Sequence, residues 1–209
     1  GQLDHYPYAD GSGVFQAWVP LTDTEFHFYP GWPPLSKMQI DLLFENDGLY
    51  LESTDAALMA AHSDKISGEI AHFSPDANLI IKANILGESQ AISDYFNASP
   101  LAESVGAALK QLVITGPVQG DLALDIPLNG EPAQVEGKIA LKNNRLNVPL
   151  SDSSTEKLAL NRVSGSFEFD QANLNKGAFT ALWNQLPVTV RFSGQELTSG
   201  YQAKVNVLA

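Results

Sequence analysis

Four histidines are the first candidates for catalysis or metal binding in this sequence of 209 residues: His5, His27, His62 and His72. None lies in an H-E-x-x-H pattern, and no two of them stand at metal-ligand spacing beside an acidic residue in a helix. His27 lies between Phe26 and Phe28 in an alternating stretch, so we expect its ring to face solvent, opposite the aromatic side chains. The histidines therefore predict neither a metal site nor a catalytic site.

Serine and carboxylate chemistry has equally little support. The segments DGSGV at 10–14 and GESQA at 87–91 lack the G-x-S-x-G pattern of a nucleophile elbow, and we expect Ser89 to cap a following helix instead. The acidic residues that fall at strand ends and turns include Asp41, Glu45, Asp47 and Asp170. Solvated turns explain them without the paired carboxylates of glycoside hydrolysis. The sequence predicts no catalytic residue, no cofactor and no enzyme, and a hydrolase with a shallow acidic cleft is the weakest alternative.

The amino-acid composition argues against several classes of binding partner and of reactive site. The chain has 24 acidic and 12 basic residues, a formal net charge of −12, and no cysteine. Because an acidic chain without a Lys/Arg cluster repels a phosphate backbone, the charge argues against nucleic acid as a partner. The lack of cysteine excludes disulfides, thiolate nucleophiles and cysteine-ligated metals. The longest apolar run, AALMAA at 56–61, is far shorter than a membrane-spanning helix.

Alternation of apolar and polar residues dominates the chain and predicts a mainly-β fold. Met38, Ile40, Leu42 and Phe44 alternate up to Asp47-Gly48, a dipeptide typical of hairpin turns. Roughly a dozen segments of this kind follow one another at short spacing, which is typical of an all-β architecture. We therefore expect an extended, strongly curved antiparallel sheet.

Residues 90–110, QAISDYFNASPLAESVGAALK, are the exception and predict a short or broken helix. The apolar residues at helical spacing are Ile92, Tyr95, Phe96, Leu101, Val105, Ala108 and Leu109. Ser99-Pro100 interrupts the stripe in the order of a cap followed by a first-turn proline. A membrane-surface helix would need a more basic polar face, so we expect this stripe to pack on the sheet.

An internal repeat accompanies the strands. Residues 35–49 align with 160–174, and 137–146 aligns with 165–174. The shared unit is a strand, a polar four-residue turn and a leucine that opens the return strand. Such a unit cannot bury its apolar face alone, so it must stack on its neighbours or line something apolar.

The stretch FYPGWPPLSKMQIDLLFENDGLYL at 28–51 resembles the periplasmic region of the YhdP group of AsmA-like envelope proteins, relatives of TamB. The family element Y-x-P-x-W-P-x-[IL] falls on Tyr29, Pro30, Trp32, Pro33 and Leu35, and Phe44 ends the strand that follows it. Two later segments, 93–128 and 163–194, resemble further parts of the family, so the resemblance touches most of residues 24–195.

The resemblance implies a fragment of a larger protein, located in the periplasm as part of a parent anchored in the inner membrane. Residues 1–209 would belong to an elongated β groove, with a first β section at 24–88, a helical insert at 89–111 and a second β section at 112–209. Such proteins carry phospholipid between the inner and outer membranes without catalysis. The implied partners are phospholipid acyl chains, the rest of the parent chain and other envelope proteins.

Strand alternation supplies the candidate groove residues, which the family does not: Ile40, Leu42, Phe44, Ile139, Leu141, Phe167 and Phe169. Acyl chains would slide along this apolar face while head groups stay in water, and each buried methylene contributes about 0.8 kcal/mol. The same residues could instead pack against the helix as core, and that alternative stays open.

Pro30, Trp32 and Pro33 are expected to form a structural corner, because proline cannot donate to a strand ladder and therefore ends one strand before the next. The alternative function is a non-catalytic scaffold that binds carbohydrate or another envelope polymer. It would need exposed aromatic residues with polar neighbours, for which Trp32, Trp183 and Tyr201 are candidates.

Overall fold

The computed structural model describes residues 2–106, 109, 112–149, 157–170, 174–197 and 200–208. Within these ranges the strands are β1 (Gln16–Phe26), β2 (Leu35–Glu45), β3 (Gly48–Leu58), β4 (Ala61–Ser63), β5 (Ile66–Ile70), β6 (Asn78–Glu88), β7 (Val113–Thr115), β8 (Pro117–Pro127), β9 (Gln134–Pro149), β10 (Lys157–Asp170), β11 (Leu174–Trp183), β12 (Leu186–Leu197) and β13 (Gly200–Leu208). The helical elements are a 3-10 turn (Leu3–His5), helix α1 (Ser89–Asn97) and a π-helical turn (Ala102–Gly106). No described helix is long and apolar enough to cross a membrane.

The described strands form one sheet of 13 strands that follows chain order along most of its width. Its path is β1-β2-β3-β4-β6-β8-β9-β10-β11-β12-β13, with β5 beside β3 and β6, and β7 beside β9. All of these pairings are antiparallel. The prediction of a mainly-β fold with an antiparallel sheet and a short, broken helix is confirmed. β1 begins at Gln16, ahead of the expected start of the first β section at residue 24.

Alternation gives the sheet two different faces. We call inner the face that carries buried residues such as Ile40, Ile81 and Ile139, and outer the opposite face, which carries residues such as Asp41 and Lys82. Helix α1 contributes buried Ile92, Tyr95 and Phe96 to the same apolar cluster as the inner face. The sheet and the helix therefore share one hydrophobic core.

A chain of aromatic contacts shows that the sheet is strongly curved. Ring centroids lie 6.0 Å apart for Trp32 and Tyr95, 6.1 Å for Tyr95 and Phe96, and 5.5 Å for Phe96 and Phe169. Trp32 precedes β2 and Phe169 lies on β10, which are six strand spacings of about 4.8 Å apart along the sheet. Three ring contacts bridge this distance only because the sheet bends around α1.

The break in the helix is made by Ser99. Its hydroxyl donates to the Phe96 carbonyl (2.8 Å) and accepts from the Leu101 amide (3.2 Å), which ends α1 before the π-helical turn. The expectation that Ser89 caps α1 is wrong, because Glu88 occupies the cap position without a side-chain hydrogen bond. The Ser89 hydroxyl instead donates to the Ile114 carbonyl (2.6 Å) and so ties α1 to β7. Ala108, in the predicted continuation of the stripe, lies outside the described residues.

The repeat holds in one copy and fails in another. Asn46 and Asp47 link β2 to β3, as predicted, and Glu45 pairs with Gly48. In the copy at 160–174 the polar residues 171–173 lie outside the described residues, and Leu174 opens β11. In the copy at 137–146 there is no turn, because β9 runs unbroken from Gln134 to Pro149.

Asn143 and Asn144 explain that failure. Asn143 has a positive φ of 59°, and the register of β9 with β10 shifts at this point, so the polar residues form a bulge. The buried Asn144 amide donates to the carbonyls of Thr115 (3.2 Å) and Pro117 (2.9 Å) and accepts from the Lys142 amide (2.7 Å). These bonds satisfy backbone groups between β7 and β8 that the bulge brings close.

Candidate functional site

The histidines and carboxylates do not assemble into a reactive centre in the described part of the chain. Exposed His27 lies 2.7 Å from the Glu25 carboxylate, and His72 lies 3.2 Å from Asp47. Among the described residues no group of three or more histidine, aspartate or glutamate side chains is placed to hold a metal ion. The two faces of the sheet are the remaining candidate surfaces for a functional site.

Most of the predicted groove residues lie inside the shared core. All seven point to the inner face, and those that are fully buried are Ile40, Ile139, Leu141, Phe167 and Phe169. The ring of Phe96 from α1 packs on Phe169 with centroids 5.5 Å apart. These residues contact other side chains in this structure, and their role as groove residues stays a prediction.

Leu42 and Phe44 are the two predicted groove residues that remain partly accessible. Both lie on β2, where Leu42 pairs with Val19 and Phe44 pairs with Ala17 of β1. Val19 is 38 % exposed although its side chain lies on the inner face. We call Val19, Leu42 and Phe44 the open strip, because solvent, and hence a ligand, can reach the inner face there.

The open strip continues into the core along a row of strand partners. From the edge of the sheet inward, the residues that follow one another in register are Val19, Leu42, Leu51, Gly68, Ile81, Leu124 and Val135. Every side chain in this row is aliphatic or, at Gly68, absent. The row offers no charge and no hydrogen-bonding side chain across seven strands, so only apolar groups are favoured on it.

Tyr95 of α1 brings an ionisable hydroxyl into the apolar cluster of the inner face. Burial raises the pKa of its hydroxyl, because the phenolate would lose its hydration. The hydroxyl therefore stays protonated under ordinary conditions, and α1 adds no charge to the inner face.

The predicted corner lies between β1 and β2 and packs on α1. Trp32 is 6 % exposed, and its ring lies 5.5 Å from Phe28 and 6.0 Å from Tyr95, centroid to centroid. Gly31 has a φ of 83°, and a Cβ there would meet Pro100 at 3.3 Å, so glycine lets the connection approach the helical insert. Pro30 and Pro33 flank this contact in the sequence, and the role of the three residues as a corner stays a prediction.

One of the three aromatic residues proposed for polymer binding is not exposed as that function requires. Buried Trp32 cannot serve as an exposed platform, Trp183 is exposed at the end of β11, and the side chain of Tyr201 lies outside what the structure describes. Sequence reasoning missed Trp18 and Val19, which lie next to each other on β1 and point to opposite faces. Pairing the pattern of β1 with that of β2 would have found both.

Comparisons with known proteins point to one family. The family model for YhdP protein matches residues 1–209. The intermembrane phospholipid transporter YhdP of Escherichia coli (strain K12) is 37 % identical over 207 residues, which make up 99 % of this chain. The chain spans 16 % of the length of that transporter. No solved structure matches the chain.

Proposed function

Because the chain belongs to the YhdP family, we propose that it is a segment of a periplasmic conduit that carries phospholipid between the inner and outer membranes. The observation that carries this proposal is the open strip, an accessible part of the inner face that continues into an aliphatic row buried in the core. Acyl chains lie on the inner face at this strip while head groups remain in water. No covalent bond of the lipid forms or breaks during transport, and the chain is not an enzyme.

The uniformly apolar chemistry of the open strip suits transport better than tight binding. Each methylene that leaves water contributes about 0.8 kcal/mol wherever it lies on an apolar surface. An acyl chain that slides along the open strip therefore exchanges equivalent contacts and meets no site that traps it. A charge or an unpaired hydrogen-bonding group on the strip would create a barrier.

The remaining parts of the parent protein are the proposed neighbours of this segment. Among the described strands β1 pairs only with β2 and β13 only with β12, which leaves two sheet edges with unpaired backbone groups. We expect strands of the same parent chain to add to these edges, so that the inner face continues from segment to segment. The parent would be anchored in the inner membrane, and other envelope proteins are further candidate partners.

A charge on the open strip should strongly reduce lipid retention. We expect Leu42→Glu to reduce the phospholipid that co-purifies with the chain by about tenfold, because a carboxylate next to an acyl chain loses hydration without a partner. Mass spectrometry of lipids extracted from detergent-free preparations measures this ratio.

Leu43→Glu is the matched control, since Leu43 is the next residue of β2 and points to the outer face. It should keep the phospholipid content of the unchanged chain, with circular dichroism verifying that both variants are folded. Equal lipid contents in the two variants, or no phospholipid in the unchanged chain, would argue against the proposal.

A further inference from the structure

The outer face carries a row of aromatic residues at the β1 edge of the sheet. Trp18 of β1 pairs with Leu43 of β2, and Leu43 pairs with Tyr50 of β3. Trp18 is 65 % exposed and Tyr50 is 38 % exposed, with Leu43 partly buried between them. We call these three residues the aromatic row. Because two strand spacings separate Trp18 from Tyr50, the backbone positions that carry their rings lie about 9–10 Å apart.

Polar side chains flank the aromatic row on both sides. The residues two positions along each strand are Gln16, Glu45 and Gly48 on one side and Pro20, Asp41 and Glu52 on the other, so each side includes two polar side chains on the outer face. The Gln16 amide donates to the Glu45 carboxylate, which leaves further acceptor positions on that carboxylate. The row is therefore a set of apolar platforms between hydrogen-bonding groups and is not part of a continuous apolar patch.

A groove on the same face lies in line with Asp41 and Glu52, the residues that flank the row on one side. Glu52 pairs with Ser67, and Ser67 pairs with Lys82, both of which line a groove of about 720 Å³ across the middle of the sheet. Other polar residues that line it are Asn84, Asp121, Glu136 and Lys138. The groove thus presents amide, hydroxyl, ammonium and carboxylate groups along a path that starts beside the aromatic row.

We propose that the outer face binds a neutral polysaccharide, whose sugar rings stack on Trp18 and Tyr50 and whose hydroxyl groups bond to the side chains of the groove. Sugars have apolar ring faces and hydroxyl edges, so a sugar-binding surface needs flat aromatic rings beside hydrogen-bond donors and acceptors. The aromatic row and the groove offer these in sequence on one face. This site is separate from the open strip, which lies on the inner face.

The charges on the outer face argue for this occupant over others. Asp41, Glu45 and Glu52 surround the row without a basic residue among them. The groove is lined by four carboxylates and by three lysines, Lys65, Lys82 and Lys138, so the whole path keeps a net negative charge that disfavours anionic lipid surfaces and acidic polymers. Two exposed rings and one partly buried leucine also form too small an apolar centre for a stable protein interface. An extended neutral chain needs only shallow contacts repeated along its length.

The test is titration of the chain with cellohexaose and chitohexaose, followed by intrinsic tryptophan fluorescence and calorimetry. We expect both exposed-ring variants, Trp18→Ala and Tyr50→Ala, to weaken binding of the preferred hexasaccharide by about tenfold. Trp183→Ala removes another exposed tryptophan, located at the end of β11, and should leave the affinity unchanged. All three variants should retain their co-purified phospholipid, because the open strip is untouched.

Two further comparisons define the site. The hexasaccharide should bind about ten times more tightly than the corresponding disaccharide, because only the longer chain reaches from the row into the groove. Hexagalacturonate, an acidic hexasaccharide, should bind more weakly than both neutral probes. The proposal is overturned if neither neutral hexasaccharide binds, if Trp18→Ala binds as well as Trp183→Ala, or if the disaccharide or the acidic probe binds as tightly as the neutral hexasaccharide.

Discussion

Replacing Phe96 by alanine is expected to lower the free energy of unfolding by about 3–5 kcal/mol. Phe96 is 0 % exposed, and its ring contacts Tyr95 and Phe169 at centroid distances of 6.1 and 5.5 Å. The hydrogen bonds that tie α1 to Ser99 and to β7 limit how far the helix can move into the cavity. Urea denaturation followed by circular dichroism measures the loss.

Phe73→Ala is the control for this prediction, because Phe73 is an exposed phenylalanine between β5 and β6. Its removal should change the free energy of unfolding by no more than about 0.5 kcal/mol. If Phe96→Ala costs less than about 1 kcal/mol, α1 does not pack on the inner face as described.

Trp32→Ala is expected to have an effect of similar size, about 3–5 kcal/mol. The indole is buried between Phe28 and Tyr95 and joins the β1–β2 connection to α1. Its loss should leave a cavity that the connection cannot fill, since Pro30 and Pro33 restrict the backbone on both sides. The same urea titration measures the effect, and loss of the buried tryptophan should shift the mean fluorescence emission to longer wavelength.

Trp183→Ala serves as the comparison for Trp32→Ala, because Trp183 is exposed. A free energy of unfolding within about 0.5 kcal/mol of the unchanged chain is expected for it. The corner prediction fails if the two tryptophan variants are equally stable.

The strands could be predicted from the sequence wherever one face is buried. β2 and β6 show this well, because each places a regular series of apolar residues on the inner face. β1 was harder to delimit, since it is an edge strand with register shifts after Leu21 and Thr24 and a positive φ at Asp23. An edge strand buries less, so its polar residues obscure the alternation.

The repeat shows where pattern alone is ambiguous. A hairpin turn and a bulge both take polar residues with positive φ, such as Asn46 between β2 and β3 and Asn143 within β9. What separates them is the contact that Asn144 makes with Thr115 and Pro117, and no local rule contains that contact. The aligned glycines, Gly137 and Gly165, also differ in their surroundings. A Cβ on Gly137 would meet the Phe169 ring, whereas a Cβ on Gly165 would meet the Ala178 carbonyl oxygen.

The sequence predicts which face of the sheet carries the candidate site residues, but not which of those residues are accessible to solvent. The period of two places Leu42, Phe44 and Phe167 on one face without any knowledge of the fold. Which of them stays accessible depends on the path of α1, and that path is set by contacts between distant residues such as Phe96 and Phe169. Periodicity carries no information about such contacts.

Photocrosslinking from single positions of β2 tests most directly whether acyl chains lie on the inner face. Benzoylphenylalanine is introduced at Phe44, on the open strip, or at Leu43, on the outer face, in the full-length parent protein in cells. We expect phospholipid adducts at position 44 and few or none at position 43. Adducts of equal yield at both positions, or none at position 44 in a protein that still supports transport, would contradict it.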